Sequence, residues 1–175
     1  SNFVRLYQAE LHSKTGIETA AHEGQFPLVL LLHGQVINWH FWGEFLASHG
    51  YVVAFCPVAG TYDKRLEADI TGVETEMRDA EFALGHLSND PQVDHKRVAV
   101  IGYSHGTLAA TALAAKNKTI KAMISLDGVI GDPLEGELLY EAPYFGIHKL
   151  TTPLMHLTSG ASYSNNMVHI DQLSF

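Results

Sequence analysis

The sequence predicts an α/β fold, with a mostly parallel central sheet and helices on both of its faces. Two observations lead to this prediction: short apolar segments alternate with longer segments of helical periodicity, and several short segments are apolar on both alternating faces. Strands that helices cover on both sides have this character, and strand–helix–strand alternation implies parallel strands joined by right-handed crossovers. We expect a single domain over residues 1–175, without a large cap domain.

The predicted strands are five short apolar segments. They are Phe26–Leu32, Tyr51–Val58, Arg97–Ile101, Ile120–Leu126 and Pro153–Leu157. The N-terminal segment Phe3–Leu11 is a candidate for an additional strand at the edge of the sheet.

The first helical segment lies between the first two predicted strands and is rich in aromatic residues. Asn38 is expected to cap this helix, Trp39, Phe41 and Trp42 lie in its first turns, and Gly50 ends it. We expect these rings to pack mainly in the core, the alternative being that some of them line an acyl pocket.

The second helical segment has the clearest pattern, because apolar residues recur at steps of three and four from Leu66 to Leu87. We interpret the acidic residues off this stripe as a solvated surface. They are Glu67, Asp69, Glu74, Glu76, Asp79 and Glu81. The third segment, from His105 to about Asn117, is rich in alanine, and small side chains let a helix press close to a sheet.

The composition is that of an ordinary globular protein. Hydrophobic residues make up 46% and charged residues 17% of the chain, and the formal net charge of −8 argues against nucleic acid or an anionic membrane as partner. No segment approaches the roughly 20 apolar residues of a membrane span. The lone cysteine, Cys56, excludes an intramolecular disulfide and is expected to be buried. Because the chain begins with Ser1, we expect a processed N-terminus, which leaves the compartment open between cytoplasm and secretion.

The main chemical signal is the motif Gly102-Tyr103-Ser104-His105-Gly106, which matches the pattern G-x-S-x-G. It directly follows a predicted strand and directly precedes the alanine-rich helix. A tight strand-to-helix turn holds a serine hydroxyl above the sheet, near a helix N-terminus that favours developing negative charge. We therefore interpret Ser104 as a catalytic nucleophile, the alternative being a structural turn with an exposed serine.

A serine that attacks a carbonyl group needs hydrogen-bond donors for the oxyanion that forms. One expected donor is the backbone N–H that follows the nucleophile, that of His105, and the other usually comes from the loop after the first central strand. That loop includes His33, Gly34 and Gln35, and we predict the N–H of Gln35 as the second donor. The alternative is an ordinary turn, in which the His33 side chain makes local hydrogen bonds only.

The serine also needs a general base, most often a histidine. In chains built around this turn the order is serine, acid, histidine, and His148, His156 and His169 follow Ser104 at a useful distance. His156 lies inside a predicted strand, so we interpret it as a core histidine with satisfied hydrogen bonds. His169 follows the last predicted strand and is the predicted base, with the other two as alternatives.

The predicted triad acid is Asp127. The loop after the last predicted strand, where this acid commonly lies, has none, because no Asp or Glu occurs between Glu141 and Asp171. Asp127 ends the strand after the nucleophile strand, which brings it to the carboxyl edge of the sheet, where ligands bind in α/β folds. The alternative is a turn aspartate before Gly128. Weaker candidates, expected on a solvated loop, are Asp132, Glu135 and Glu137.

These segments together resemble the α/β-hydrolase fold over most of the chain. Phe26–Gly34 with Trp42–Val58 is similar to the first half of its core, and Arg97–Gly106 resembles its nucleophile strand and elbow. Asp127 and the tail Val168–Phe175 resemble the platelet-activating-factor acetylhydrolase-like branch. The resemblance implies a carboxylic ester hydrolase that acts on short acyl groups through an acyl-enzyme, independent of metal and without a cofactor.

The sequence departs from the family's pattern in two places. Thr107 stands where a second glycine often follows the elbow, and we expect it to reshape the helix packing there. The stretch from Leu157 to His169 leaves little room for another strand before the histidine.

Residues near the elbow are the candidates for substrate contact, and we predict this role for His33, Trp39 and Tyr103. Apolar residues between Pro133 and Phe145 could form a wall of the site. The expected substrate is a small-molecule or lipid-like ester bound in a mostly apolar acyl site.

The sequence leaves three other functions open. The same triad serves lipases, thioesterases and peptidases, and a non-catalytic binding module could retain the fold. A zinc site is the third, but no histidine pair has H-x-x-x-H spacing on a helix with a carboxylate partner. We therefore predict no metal.

Overall fold

The structure is a computed structural model that describes residues 13–16, 24–33, 39–56, 59, 66–132, 134–143 and 145–158. Within these residues, strands and helices alternate along the chain. The elements are β1 (Phe26–His33), α1 (His40–Ser48), β2 (Val52–Phe55), α2 (Ile70–Leu87), β3 (Val93–Tyr103), α3 (Gly106–Lys116), β4 (Ile120–Leu126), α4 (Leu138–Glu141), a 3-10 turn (Ile147–Lys149) and β5 (Leu154–Leu157).

The strands form one sheet in the order β2-β1-β3-β4-β5, and each neighbouring pair is parallel. The predicted α/β architecture is therefore confirmed. The register aligns His33 with Tyr103, Tyr103 with Leu126, and Leu126 with Leu157. Because these strand ends are level, the residues that follow β3 and β4 meet at one edge of the sheet.

Side chains of β1 alternate between two hydrophobic cores, as successive residues of a strand must. Leu28, Leu30 and Leu32 enter the larger core, which α2 and α3 cover. Val29 and Leu31 enter a smaller core on the opposite face. The apolar run in the sequence therefore marks a strand that is buried on both sides.

The alanine-rich helix α3 is buried over its whole length from Gly106 to Ala115, and only Lys116 at its end is exposed. It contacts the sheet on one side and α2 on the other. A helix enclosed in this way is apolar all round, and its alanines allow close packing on both sides.

Helix α2 begins at Ile70, four residues later than the predicted start at Leu66. Asp69, which was predicted on the solvated acidic side, is the N-cap, and its carboxylate accepts a hydrogen bond of 2.9 Å from the Gly72 N–H. Capping outweighs the apolar periodicity here, because a capped helix start satisfies a backbone donor that otherwise has no partner.

Helix α1 is less buried than the sequence suggested. Trp39 is buried, but Phe41 and Trp42 are 45% and 43% exposed, so the expectation that these rings pack in the core is wrong for two of the three. Trp39 is also the N-cap residue, and it makes no side-chain capping bond; Asn38 lies outside the described residues. Gly50 has a φ of 83°, the left-handed conformation that commonly ends a helix.

Glu76 is the clearest correction to the sequence analysis. It was predicted on a solvated surface, yet it is fully buried, between Gly72 and Ala80 on the inner side of α2. Neither carboxyl oxygen makes a well-formed hydrogen bond among the described residues, although the backbone N–H of His33 approaches the group. Burial raises the pKa of Glu76 to about 7, and the nearby backbone N–H of His33 opposes this only in part.

The raised pKa of the buried Glu76 carboxyl group makes the stability of the folded chain depend on pH in a known direction. Its pKa is higher in the folded chain than in the unfolded chain, so the folded chain binds more protons between about pH 4.5 and 7. Stability must then fall as pH rises through this window and level off above it. We expect the stability of Glu76→Gln relative to the wild type, measured by urea unfolding, to rise by about 2–3 kcal/mol between pH 5 and pH 8.

The matched control is Glu74→Gln, which changes the same residue type on the same helix and removes a partly exposed ion pair with Arg78. Its stability should differ from wild type by less than about 1 kcal/mol at every pH. Parallel pH curves for Glu76→Gln and wild type would refute the buried, raised-pKa carboxyl group.

Candidate active site

Ser104 lies at the sharp turn between β3 and α3. Its φ is 50°, a left-handed conformation that is uncommon for residues other than glycine. The Ser104 N–H donates a 3.0 Å hydrogen bond to the Leu126 carbonyl at the end of β4. His105 is the N-cap of α3, so its N–H belongs to the helix end whose donors have no acceptors within the helix. The turn thus holds a serine at the N-terminus of a buried helix.

Gly106 brings this turn directly against the end of β1. A Cβ atom at Gly106 would lie 2.7 Å from the backbone N and Cα atoms of His33. Backbone atoms cannot yield as a flexible side chain can, so a glycine is required at this contact. The serine turn is therefore packed against the strand end that leads into the predicted oxyanion loop.

Asp127 occupies a second left-handed turn one strand away, with a φ of 43°. Its N–H donates a 2.7 Å hydrogen bond to the Leu157 carbonyl at the end of β5. The next residue, Gly128, also has no room for a side chain, because a Cβ atom there would overlap Ser125 Oγ and lie 2.6 Å from Thr107 Cγ2. Ser104 and Asp127 thus follow adjacent strands at the same edge of the sheet.

Thr107 connects these two turns. Its hydroxyl donates a 2.6 Å hydrogen bond to the Ser104 carbonyl and accepts a 3.2 Å hydrogen bond from the Val129 N–H. The side chain is fully buried. The sequence identified Thr107 only as a departure from a family pattern, and nothing in its spacing revealed the second bond, which joins residues distant in sequence.

Near this edge, His156 and His105 each lie close to another polar side chain. His156, half-buried on β5, shares a 2.8 Å hydrogen bond between its Nδ1 and Ser125 Oγ. Burial lowers the pKa of His156, and the charge of Asp127 opposes this effect. His105 Nδ1 lies 3.3 Å from Glu135 Oε2. His148, in the 3-10 turn, is exposed.

Two of the predicted site residues, Gln35 and His169, lie outside the described residues. The three predicted substrate-contact residues come together at the end of β1 and β3. Trp39 is the centre of this group, with ring centroids 6.3 Å from His33 and 5.5 Å from Tyr103. Because Trp39 is only 4% exposed, it contributes mainly to the smaller core beneath the edge.

Three further features of the described residues bear on function. No group of three or more His, Cys, Asp or Glu side chains within them is arranged to hold a metal ion. None of the helices they form combines the length and the apolar character that crossing a membrane requires. Burial raises the pKa of the Cys56 thiol to about 12, so it carries no thiolate at neutral pH.

The parallel sheet and its strand–turn–helix elbow define the chain as an α/β hydrolase. Solved structures agree with this fold. An acylaminoacyl peptidase from Pyrococcus horikoshii matches with a TM-score of 0.61 at 19% identity, over 78% of this chain and 28% of that chain. DcsB, solved in complex with its substrate analogue, matches with a TM-score of 0.52 at 18% identity, over 62% and 39%.

The chain belongs to the chlorophyllase family, whose family model matches residues 8–142. Chlorophyllase-1 from Arabidopsis thaliana is 30% identical over 67% of this chain and 38% of its own length. Chlorophyllase-2 from the same plant is 24% identical over 82% and 49%. The chain therefore spans less than half the length of these curated relatives. The resemblance to the acetylhydrolase-like branch is not confirmed by this match.

The close contact at Gly106 gives a direct prediction for stability. Gly106→Ala must push the start of α3 away from His33, and we expect a loss of about 1–3 kcal/mol in urea unfolding. Gly85→Ala is the control, because a Cβ atom at this position in α2 meets no atom within 4 Å. Alanine in an open helical position should instead stabilise the chain by about 0.5–1 kcal/mol. Equal effects of the two substitutions would contradict the described packing.

Proposed function

We propose that this chain is a serine carboxylic ester hydrolase, with Ser104 as nucleophile, Asp127 as triad acid and His169 as general base. The observation that carries the proposal is the pair of left-handed turns at Ser104 and Asp127, on adjacent strands of one sheet edge. The left-handed conformation costs a non-glycine residue about 1–3 kcal/mol, and residues held in it concentrate at functional sites. Membership of a hydrolase family supports the same assignment.

In the proposed reaction the Ser104 hydroxyl attacks the ester carbonyl carbon while His169 accepts its proton. The N–H groups of His105 and Gln35 donate hydrogen bonds to the oxyanion of the tetrahedral intermediate. Collapse of this intermediate expels the alcohol, which takes the proton from His169, and leaves an acyl group on Ser104. Water then attacks the acyl-enzyme by the same steps and releases the carboxylic acid product. Asp127 stabilises the imidazolium of His169 in both halves of the reaction.

The substrate class follows from the family and from the site's surroundings. The relatives are named for chlorophyll, a molecule that carries carboxylic esters, and we propose that this chain acts on a lipid-like or other mostly apolar ester. His33, Trp39 and Tyr103 are the proposed contacts near the oxyanion side. The narrower proposal of short acyl groups, as in acetylhydrolase-like enzymes, rests on the position of Asp127 after β4 and needs no metal or cofactor.

The second candidate function is amide hydrolysis by the same residues. A neighbour in fold, the acylaminoacyl peptidase, is named for a peptide substrate, and the same elbow can serve either leaving group. A non-catalytic binding module is the third, and the strained turn at Ser104 argues against it, since binding alone gives no reason to retain that conformation.

A panel of p-nitrophenyl esters of increasing acyl length, beside aminoacyl p-nitroanilides, tests the proposal. We expect ester hydrolysis, with Ser104→Ala lowering kcat by at least about 10³-fold and Asp127→Asn by about 10²–10⁴-fold, each with KM changed far less. His169→Ala should match Ser104→Ala, whereas His156→Ala should remain within about tenfold of wild type.

Three results of the panel would contradict the proposal in different ways. Faster cleavage of the anilides would favour the peptidase. Unchanged kcat in Ser104→Ala would exclude the nucleophile, and a greater loss in His156→Ala than in His169→Ala would move the base to β5. Activity should persist in a chelator, and its loss there would require a metal.

A further inference from the structure

Thr107 is fully buried at the second position of α3, and both capacities of its hydroxyl are used. Its single proton goes to the Ser104 carbonyl at 2.6 Å, and one lone pair accepts the Val129 N–H at 3.2 Å. The first bond is the local contact that threonine commonly makes with the preceding helical turn. The second bond crosses to a segment 22 residues later, two residues beyond Asp127.

The packing around Thr107 reinforces this connection. Its methyl group occupies the space that a Cβ atom at Gly128 would need, at 2.6 Å. A glycine in place of Thr107 would supply neither the hydroxyl nor the methyl group. The turn that carries Asp127 therefore contacts the serine turn through one side chain, in addition to the backbone bond from Ser104 to Leu126.

We propose that Thr107 is a positioning residue that fixes the turn of Asp127 relative to the turn of Ser104. The inference rests on the proposed function, because its consequence for catalysis requires these two residues to act together. Thr107 touches no reacting atom. It holds the distance between two strained turns, and a shift of about 1 Å between catalytic groups can cost roughly 10²-fold in rate.

The first test is kinetic and uses Thr107→Val, which keeps the shape and removes the hydroxyl. We expect kcat for a p-nitrophenyl ester to fall about tenfold or more with KM within about threefold, since misplacement affects the transition state rather than binding. Thr107→Ser restores the hydroxyl and should return kcat to within about threefold of wild type.

The matched control is Thr111→Val, one turn further along α3. Thr111 is equally buried, but its hydroxyl donates a 2.6 Å hydrogen bond to the Thr107 carbonyl and lies 3.9 Å from Met123 Sδ, instead of bonding to Ser104 or Val129. Its loss should destabilise the helix by a similar amount and leave kcat unchanged, measured well below the unfolding midpoint of each variant. A general structural effect would lower activity in both variants alike.

The second test is independent of catalysis and follows the Val129 amide by hydrogen exchange. In Thr107→Val this amide should exchange at least about tenfold faster than in wild type, whereas Thr107→Ser and Thr111→Val should leave it protected. Unchanged exchange would overturn the connection itself, whatever the kinetics show.

The two tests separate this inference from the proposed function. If the wild type hydrolyses no ester, the proposed function fails, and the connection between the turns is decided by Val129 exchange alone. If esters are hydrolysed and exchange accelerates while kcat is unchanged in Thr107→Val, the connection exists but its catalytic role is overturned.

Discussion

The candidate site depends on one constraint: the chain must reverse tightly at the ends of β3 and β4 while both strands stay in a parallel sheet. Each reversal is made by a non-glycine residue in the left-handed region, Ser104 and Asp127. Each costs about 1–3 kcal/mol, and each is anchored by a backbone hydrogen bond to the next strand end, at Leu126 and Leu157. Such a bond contributes about 1 kcal/mol, so close packing must supply the rest.

That packing comes from the residues around the turns. Gly106 allows α3 to begin against the backbone of His33, and Gly128 leaves space for Ser125 and Thr107. The sheet edge is therefore fixed from below by the buried helix α3 and from the side by β1. The turn of Ser104, the strand that precedes the proposed oxyanion loop and the turn of Asp127 form one packed unit, so a change in one of them shifts the others.

The sequence predicted the parts of this arrangement that depend on local pattern. Apolar runs located the strands, helical periodicity located α2, and the G-x-S-x-G motif located the elbow, since each signal lies within one element. It did not predict the burial of Glu76 or the second bond of Thr107. Both depend on which elements meet in three dimensions, because Glu76 has the sequence pattern of a surface residue and is buried only where the fold brings it close to the His33 backbone and to Cys56. The prediction that Phe41 and Trp42 of α1 pack in the core was wrong for the same reason, because no described element covers these two rings.

The chain belongs to the chlorophyllase family and spans less than half of the length of each of these relatives, and this membership supports the proposed hydrolase activity. That activity requires Ser104 to be a reactive nucleophile. Fluorophosphonate treatment followed by peptide mass spectrometry tests it most directly. We predict one adduct, on the peptide that contains Ser104, absent in Ser104→Ala. No adduct on the wild-type chain, or an adduct that persists in Ser104→Ala, would contradict it.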